Sequence, residues 1–275
     1  MAVIYLRFSE LQFIGSIFAK SNYGWLLAII VIQLFVYYFQ ALNYRDVLRI
    51  KDLEVKPKEL YPMSFVVQFL NQALPSAGLS GQVFFIQYLK KYGLSLAEGM
   101  GRAFIEIMTL WMAVGLFFIA SSVIILKGGA IADVPELRYV IYTFVFLAVI
   151  VLSVFFLIQR RKRSGITRWV TNWLHRHFER KRKLKNEDVI DRSKRVEEIL
   201  DQFRSSLKIK TLEKKAKNFW MAFFWQCMIL LANVVTLYFL SFAIDSKISF
   251  AVAFIAFSLT KFLSMISLIF SIFIF

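Results

Sequence analysis

Three ionisable side chains stand in or beside stretches otherwise free of charge. Arg102 and Glu106 lie at the start of the apolar run Ala103–Leu126, and Lys261 lies about 13 residues from either end of Ile248–Phe275. A charge at the centre of a bilayer costs roughly 2.5–3.5 kcal/mol on insertion scales, so such residues mark a functional site by default. The chemistry they offer is recognition: a guanidinium fits a phosphate, an ammonium is a point-charge partner for one, and a carboxylate between them can tune or gate both. Arg102 and Glu106, four residues apart, share a helix face and can pair. The plainer account of Glu106 is a residue near the interface that reaches the cytoplasmic surface, or one held protonated by desolvation. Lys261 is harder to bring to a surface. It either pairs with Glu106 across two halves of the chain or sits at a helix break facing a water-filled cleft.

A second constellation is the polar stretch Asn71–Gln82, which holds Asn71, Gln72, Pro75, Gly78, Gly81 and Gln82 between two short apolar pieces. Helix-breaking residues at membrane depth are tolerated where the freed backbone is buried in protein or lines a wet cavity. Short, Pro/Gly-interrupted hydrophobic segments are also pointers to a transporter's substrate site. Asn71 and Gln72 are suited to satisfying the backbone at the turn or to contacting a headgroup, and a half-helix N-terminus at the break favours an anion. The competing account is an ordinary extramembrane loop.

Nothing in the chain reads as a catalytic set. There is no Asp pair, metal-ligand cluster or nucleophile–base arrangement; His175 and His177 have no further His or Cys nearby, and Cys227, the only cysteine, lies in a hydrophobic run. The expectation is a non-enzyme without metal or cofactor.

The elements that must position these residues are membrane helices. Of 275 residues 59% are hydrophobic, 30 are Phe, and the mean hydropathy is +0.61; soluble domains average about 45–50% apolar. The start of the chain has neither the basic n-region nor the small-residue cleavage site of a secretory signal. Residues 1–24 suit a juxtamembrane helix. Trp25–Leu42, Ala103–Leu126, Tyr139–Ile158, Phe219–Ile244 and Ile248–Phe275 are each 18 residues or longer and carry at most one charge, enough at 1.5 Å per residue to cross. That gives about five transmembrane helices in an all-α polytopic membrane protein.

Residues 160–217 hold 20 Lys/Arg against 8 Asp/Glu, so +12 of the net +16 sits in one loop. Such a loop is a positive-inside signal and a partner for anionic headgroups, and it argues against nucleic acid. Within it, Ile166, Trp169, Val170, Trp173 and Leu174 suit a helix lying on the leaflet. The stripe Val189–Leu207 suits packing on the membrane domain or on a partner. With that loop cytoplasmic, charge parity places Arg45–Lys58 and Lys90–Arg102 on the same side. Residues 63–92 then enter and leave by one face, as a re-entrant helical hairpin. The expected organisation is a first membrane half over 1–159, a basic helical cytoplasmic loop over 160–217, and the start of a second, incomplete half over 218–275.

The order Ala41-Leu42-Asn43-Tyr44-Arg45, then Asn71-x-x-Leu74-Pro75-x-x-Gly78-x-x-Gly81, then Tyr92-Gly93-Leu94-Ser95 before a span with an early Glu resembles the flippase-like transmembrane family. This is the membrane region of lysylphosphatidylglycerol synthases and their stand-alone relatives. The resemblance implies an inverted repeat with two re-entrant segments and a role in moving or accommodating lipid or lipid-linked substrates. The chain departs from the family's pattern in several places. Gln82 stands where an acid is usual, and Glu106 is followed by Ile107 and Met108 instead of a further charge. No span precedes Trp25, and Leu268-Ile269-Phe270-Ser271 stands where a second Pro-Gly break belongs. The layout expected from these departures is that of a truncated or degenerate member lacking the aminoacyl-transferring domain.

The functional expectation is therefore an inner (plasma) membrane protein that binds, and translocates by rocking of two halves, an anionic phospholipid or lipid-linked substrate. Asn71, Pro75, Gly78, Gly81, Gln82, Arg102, Glu106 and Lys261 form its lipid-binding or gating set. The bilayer and, as an open option, a second copy of the chain complete its partners. The alternative is a non-transporting scaffold that recruits a cytoplasmic enzyme through residues 186–215. A membrane-embedded transferase is disfavoured by the missing catalytic set.

Overall fold

The computed structural model describes residues 21–73, 79–126, 215–246 and 248–274, and among them every regular element is helical. The elements are α1 (Tyr23–Arg49), α2 (Pro57–Ala73), α3 (Leu79–Leu89), a 3₁₀ turn (Lys90–Tyr92), α4 (Leu96–Leu126), α5 (Ala216–Ala243) and α6 (Phe250–Ile274). Three of them, α1, α4 and α5, are long and apolar enough to cross a bilayer. The juxtamembrane segment before residue 21, the expected span Tyr139–Ile158 and the basic loop up to residue 214 lie outside the described residues.

Local chemistry sets the ends of these helices. The Asn22 side chain accepts the Gly24 N–H at 3.0 Å and caps α1. This helix does not stop at Leu42, where the apolar run ends, but continues through Arg45, Asp46 and Arg49. Those charges solvate one another at the helix end: Arg45 Nε lies 2.9 Å from Asp46 Oδ1. At α4, Ser95 and Glu98 exchange backbone–side-chain hydrogen bonds at 2.9 and 3.3 Å, a capping box. Just before it Gly93 adopts φ 77°, a left-handed turn that a side chain would resist.

Burial is inverted relative to a water-soluble protein. Leu27 and Ile119 are 64% and 61% exposed, while Asn43, Asp46, Arg102, Glu106 and Gln226 are all 4% exposed or less. Apolar surface outside and polar groups gathered inside is the distribution a hydrocarbon solvent demands. The chain is an all-α polytopic membrane protein.

Helices α1 and α5 run antiparallel and are tied at both ends. The Asn22 N–H donates to the Ala243 carbonyl at 3.1 Å, and Lys215 pairs with Asp52 at the opposite end. Near that second end Val47 and Ile50 pack with Ile105 of α4 and Ala222 of α5, so α4 begins where α1 finishes. Between them α2 and α3 form an antiparallel pair: the Tyr88 hydroxyl donates to the Glu59 carbonyl at 2.9 Å near one end, and the Ser80 hydroxyl donates to the Leu70 carbonyl at 2.8 Å near the other. Their 17 and 11 residues amount to about 26 and 17 Å, short of a hydrocarbon core of about 30 Å. Tyr44 stacks on Phe85 with ring centroids 4.5 Å apart, inside a cluster that includes Leu48, Leu60, Met63, Val67 and Leu89. A second cluster joins α4, α5 and α6, where Phe117 faces Phe254 at 5.2 Å and Phe118 faces Phe262 at 4.1 Å.

Candidate functional site

The centre of the site is the Glu106 carboxylate, held by amides from three other helices. Gln82 Nε2 of α3 donates to Oε2 at 2.7 Å; Gln226 Nε2 of α5 and Gln40 Nε2 of α1 donate to Oε1 at 3.0 and 3.3 Å. All three partners donate, which matches the acceptor-only chemistry of an ionised carboxylate. Counting at 1.5 Å per residue, Gln40 lies about 14 Å from the Arg49 end of α1, and Glu106 and Gln226 lie about 15 Å from the first residues of α4 and α5. The three depths agree because those helix ends meet in one layer. Half of a hydrocarbon core is also about 15 Å. Each hydrogen bond to a charged group nets roughly 1.5–3 kcal/mol, so three of them outweigh an insertion cost of roughly 2.5–3.5 kcal/mol. The cage explains how an acid persists there.

The helical pair α2–α3 reaches this carboxylate through a close backbone approach. The Gly81 N–H donates to Asn71 Oδ1 at 2.9 Å. A Cβ at Gly81 would run into the Asn71 side chain and lie 2.7 Å from the Val67 carbonyl. Gly81 is thus the contact that lets α3 lie against α2, and Asn71 serves the backbone in the first turn of α3. Pro75 and Gly78 lie outside the described residues.

A cavity of about 380 Å³ lies beside the cage. Seven carboxamides line it (Gln40, Gln68, Asn71, Gln72, Gln82, Gln226 and Asn233), together with Tyr37, Tyr44, Glu106 and Lys261. Of the residues expected from the sequence, the cavity gathers Asn71, Gln82, Glu106 and Lys261. Lys261 shares the space with Glu106 but does not reach ion-pairing distance, and among the described residues its ammonium has no hydrogen-bond or ion-pair partner. Arg102 does not line it. It is 4% exposed, donates Nη1 to the Glu98 carbonyl at 3.2 Å, and has a buried Nε without a partner. The pairing that its spacing from Glu106 allowed does not form, because the carboxylate is turned into the amide cage.

Sequence reasoning passed over Gln40 and Gln226. Each is a single amide in an apolar helix, and the only signal is that both fall at the depth of Glu106. It also passed over Asp46, which is 2% exposed and accepts from Arg45 Nη2 at 3.0 Å and from Trp225 Nε1 at 2.9 Å on the same oxygen. This ties the α1 end to α5, as does Asn43 Nδ2 donating to the Ala222 carbonyl at 2.8 Å. Among the described residues no group of three His, Cys, Asp or Glu side chains is placed to hold a metal ion. The arrangement offers charge and hydrogen-bond recognition of a polar group brought to membrane depth.

A family model described as the lysylphosphatidylglycerol synthase TM region matches residues 1–272. Searches of curated proteins and of solved structures give no match. With nearly its whole length matched, and with polar residues gathered inside an apolar helical bundle, the chain belongs to the family of the lysylphosphatidylglycerol synthase TM region.

Proposed function

We propose that this protein binds the anionic, phosphate-bearing headgroup of a lipid or lipid-linked substrate in the cavity beside Glu106 and assists its passage across the plasma membrane, without catalysing a covalent step. The observation that carries the reading is the Lys261 ammonium, unpaired among the described residues, in a carboxamide-lined cavity inside a bundle whose exterior is apolar. Lys261 holds the phosphate, and the amides hydrogen-bond its oxygens and the groups around it. Arg102, buried with a spare donor about 6 Å nearer the basic helix ends, is the second cation. In this reading α2–α3 is a re-entrant hairpin that enters and leaves by the cytoplasmic face, and loop 160–217 is cytoplasmic. Its support is that α1 ends and α4 begins in one layer while neither α2 nor α3 is long enough to cross. Passage follows from movement of the hairpin against the long helices.

The test is binding of a phosphate-bearing lipid to purified protein, wild type against Lys261→Met and Arg102→Ala. Loss of Lys261 is expected to weaken retention more than loss of Arg102. Retention unchanged in both variants refutes the assignment.

A further inference from the structure

Glu106 and Lys261 put one negative and one positive charge in the same cavity without touching. The hydrogen bonds from Gln40, Gln82 and Gln226 solvate the carboxylate but are neutral, so its charge remains uncancelled. A carboxylate has about four acceptor positions; three are filled here and one is open. The Lys261 ammonium brings three donors that no described residue takes up. A headgroup bearing only a negative charge satisfies the lysine and sets a second anion beside the carboxylate in a low-dielectric space, where like charges repel. A headgroup carrying both charges, in the opposite order, satisfies both.

We infer that the cavity selects a zwitterionic phosphate ester, with its phosphate on Lys261 and a primary ammonium a few atoms away on the open position of Glu106: the chemistry of a phosphoethanolamine headgroup. This rests on the proposed lipid site and narrows the phosphate-bearing headgroups named there to those whose negative charge is balanced by a tethered ammonium. A cavity of about 380 Å³ stands near the lower end of the range that small ligands occupy, roughly 300–1,000 Å³. It has room for a headgroup, with the acyl chains left outside.

The experiment is native mass spectrometry of the full chain in detergent, offered equimolar phosphatidylethanolamine, N-acetylated phosphatidylethanolamine and phosphatidylglycerol. Wild type is expected to retain phosphatidylethanolamine about thirtyfold or more over the other two, the scale of loss when one partner of a buried charge pair is removed. Glu106→Gln, which keeps the side chain's shape, is expected to abolish the preference for the free amine over its N-acetyl form. Lys261→Met is expected to lower retention of all three. Equal retention of the three lipids by wild type, or a preference that survives Glu106→Gln, overturns the inference. If Glu106→Gln does not fold, the N-acetyl comparison on wild type decides alone. Phosphatidylglycerol bound in a Lys261-dependent way without preference for the amine sinks this inference and leaves the lipid site standing; retention independent of Lys261 sinks both. Competition with soluble phosphoethanolamine separates the sources: displacement assigns the site to a free zwitterion, and persistence of the lipid assigns it to the membrane-borne headgroup.

Discussion

Replacing Gln82 by Met removes the shortest of the three hydrogen bonds to Glu106 while keeping the length of the side chain. The 2.7 Å contact from Gln82 Nε2 is the polar tie between α3 and α4. A hydrogen bond to a charged group nets roughly 1.5–3 kcal/mol, which is about a ten- to hundredfold shift in the equilibrium between docked and undocked α3. Hydrogen exchange of the α3 backbone in lipid nanodiscs reads that shift directly, with α5 amides as the internal reference. The decisive control is the same change in a Glu106→Met background. With no buried charge left to solvate, the second substitution should cost little, since replacing a buried polar set by well-packed apolar groups is often near neutral. If Gln82→Met loosens α3 equally in both backgrounds, the carboxylate is not what holds the helix, and the reasoning built on the cage fails.

Four further outcomes are expected. The corresponding Met substitutions should rank in cost as Gln82, then Gln226, then Gln40, following their distances of 2.7, 3.0 and 3.3 Å, as measured by thermal stability in detergent. Gly81→Ala should destabilise the α2–α3 pair by about 1–3 kcal/mol, because the Val67 carbonyl that the new methyl meets is backbone and cannot swing away; unchanged α3 exchange rates would refute this. Trp225→Phe keeps the stack on Phe39, at 5.7 Å between centroids, but strips Asp46 of a donor and should cost about 1–3 kcal/mol in the same stability assay. In a Cys227→Ala background, cysteines at Glu54 and Lys91 should both react with an impermeant thiol reagent from the cytoplasmic face; labelling from opposite faces would remove the re-entrant hairpin.

The sequence made the charged part of the site legible and left its solvation hidden. Glu106 and Lys261 announce themselves because a lone charge in an apolar run has no cheap explanation. Gln40 and Gln226 carry no such flag, since an amide costs far less to bury than a charge. Only the convergence of three helices at one depth shows what they do. Arg102 illustrates the opposite error: four-residue spacing places two side chains on one face, but it does not set their rotamers, and the carboxylate had better partners elsewhere. Lys/Arg placement leads to the expectation that the two ends of residues 63–92 share a face, which the labelling experiment tests. The length of α1 could not be read from the residues, because Arg45, Asp46 and Arg49 look like a loop until their mutual pairing is seen. The capping pattern Ser95-x-x-Glu98, which sequence reasoning passed over, marks the start of α4 in the structure.

The ties at the two ends of α1 and α5, Asn22 to Ala243 and Asp52 to Lys215, have a mechanical consequence. A helix pair tied at top and bottom resists sliding and splaying, so it behaves as a strut whose length matches the bilayer. Under the proposed function, the part that moves pivots against that strut. The short arm is the α2–α3 pair, whose tip carries Gln82 and whose root lies at the basic ends. Spin labels placed on α1 and α5 should keep one narrow distance distribution through any working cycle, while a label near Gln82 should not.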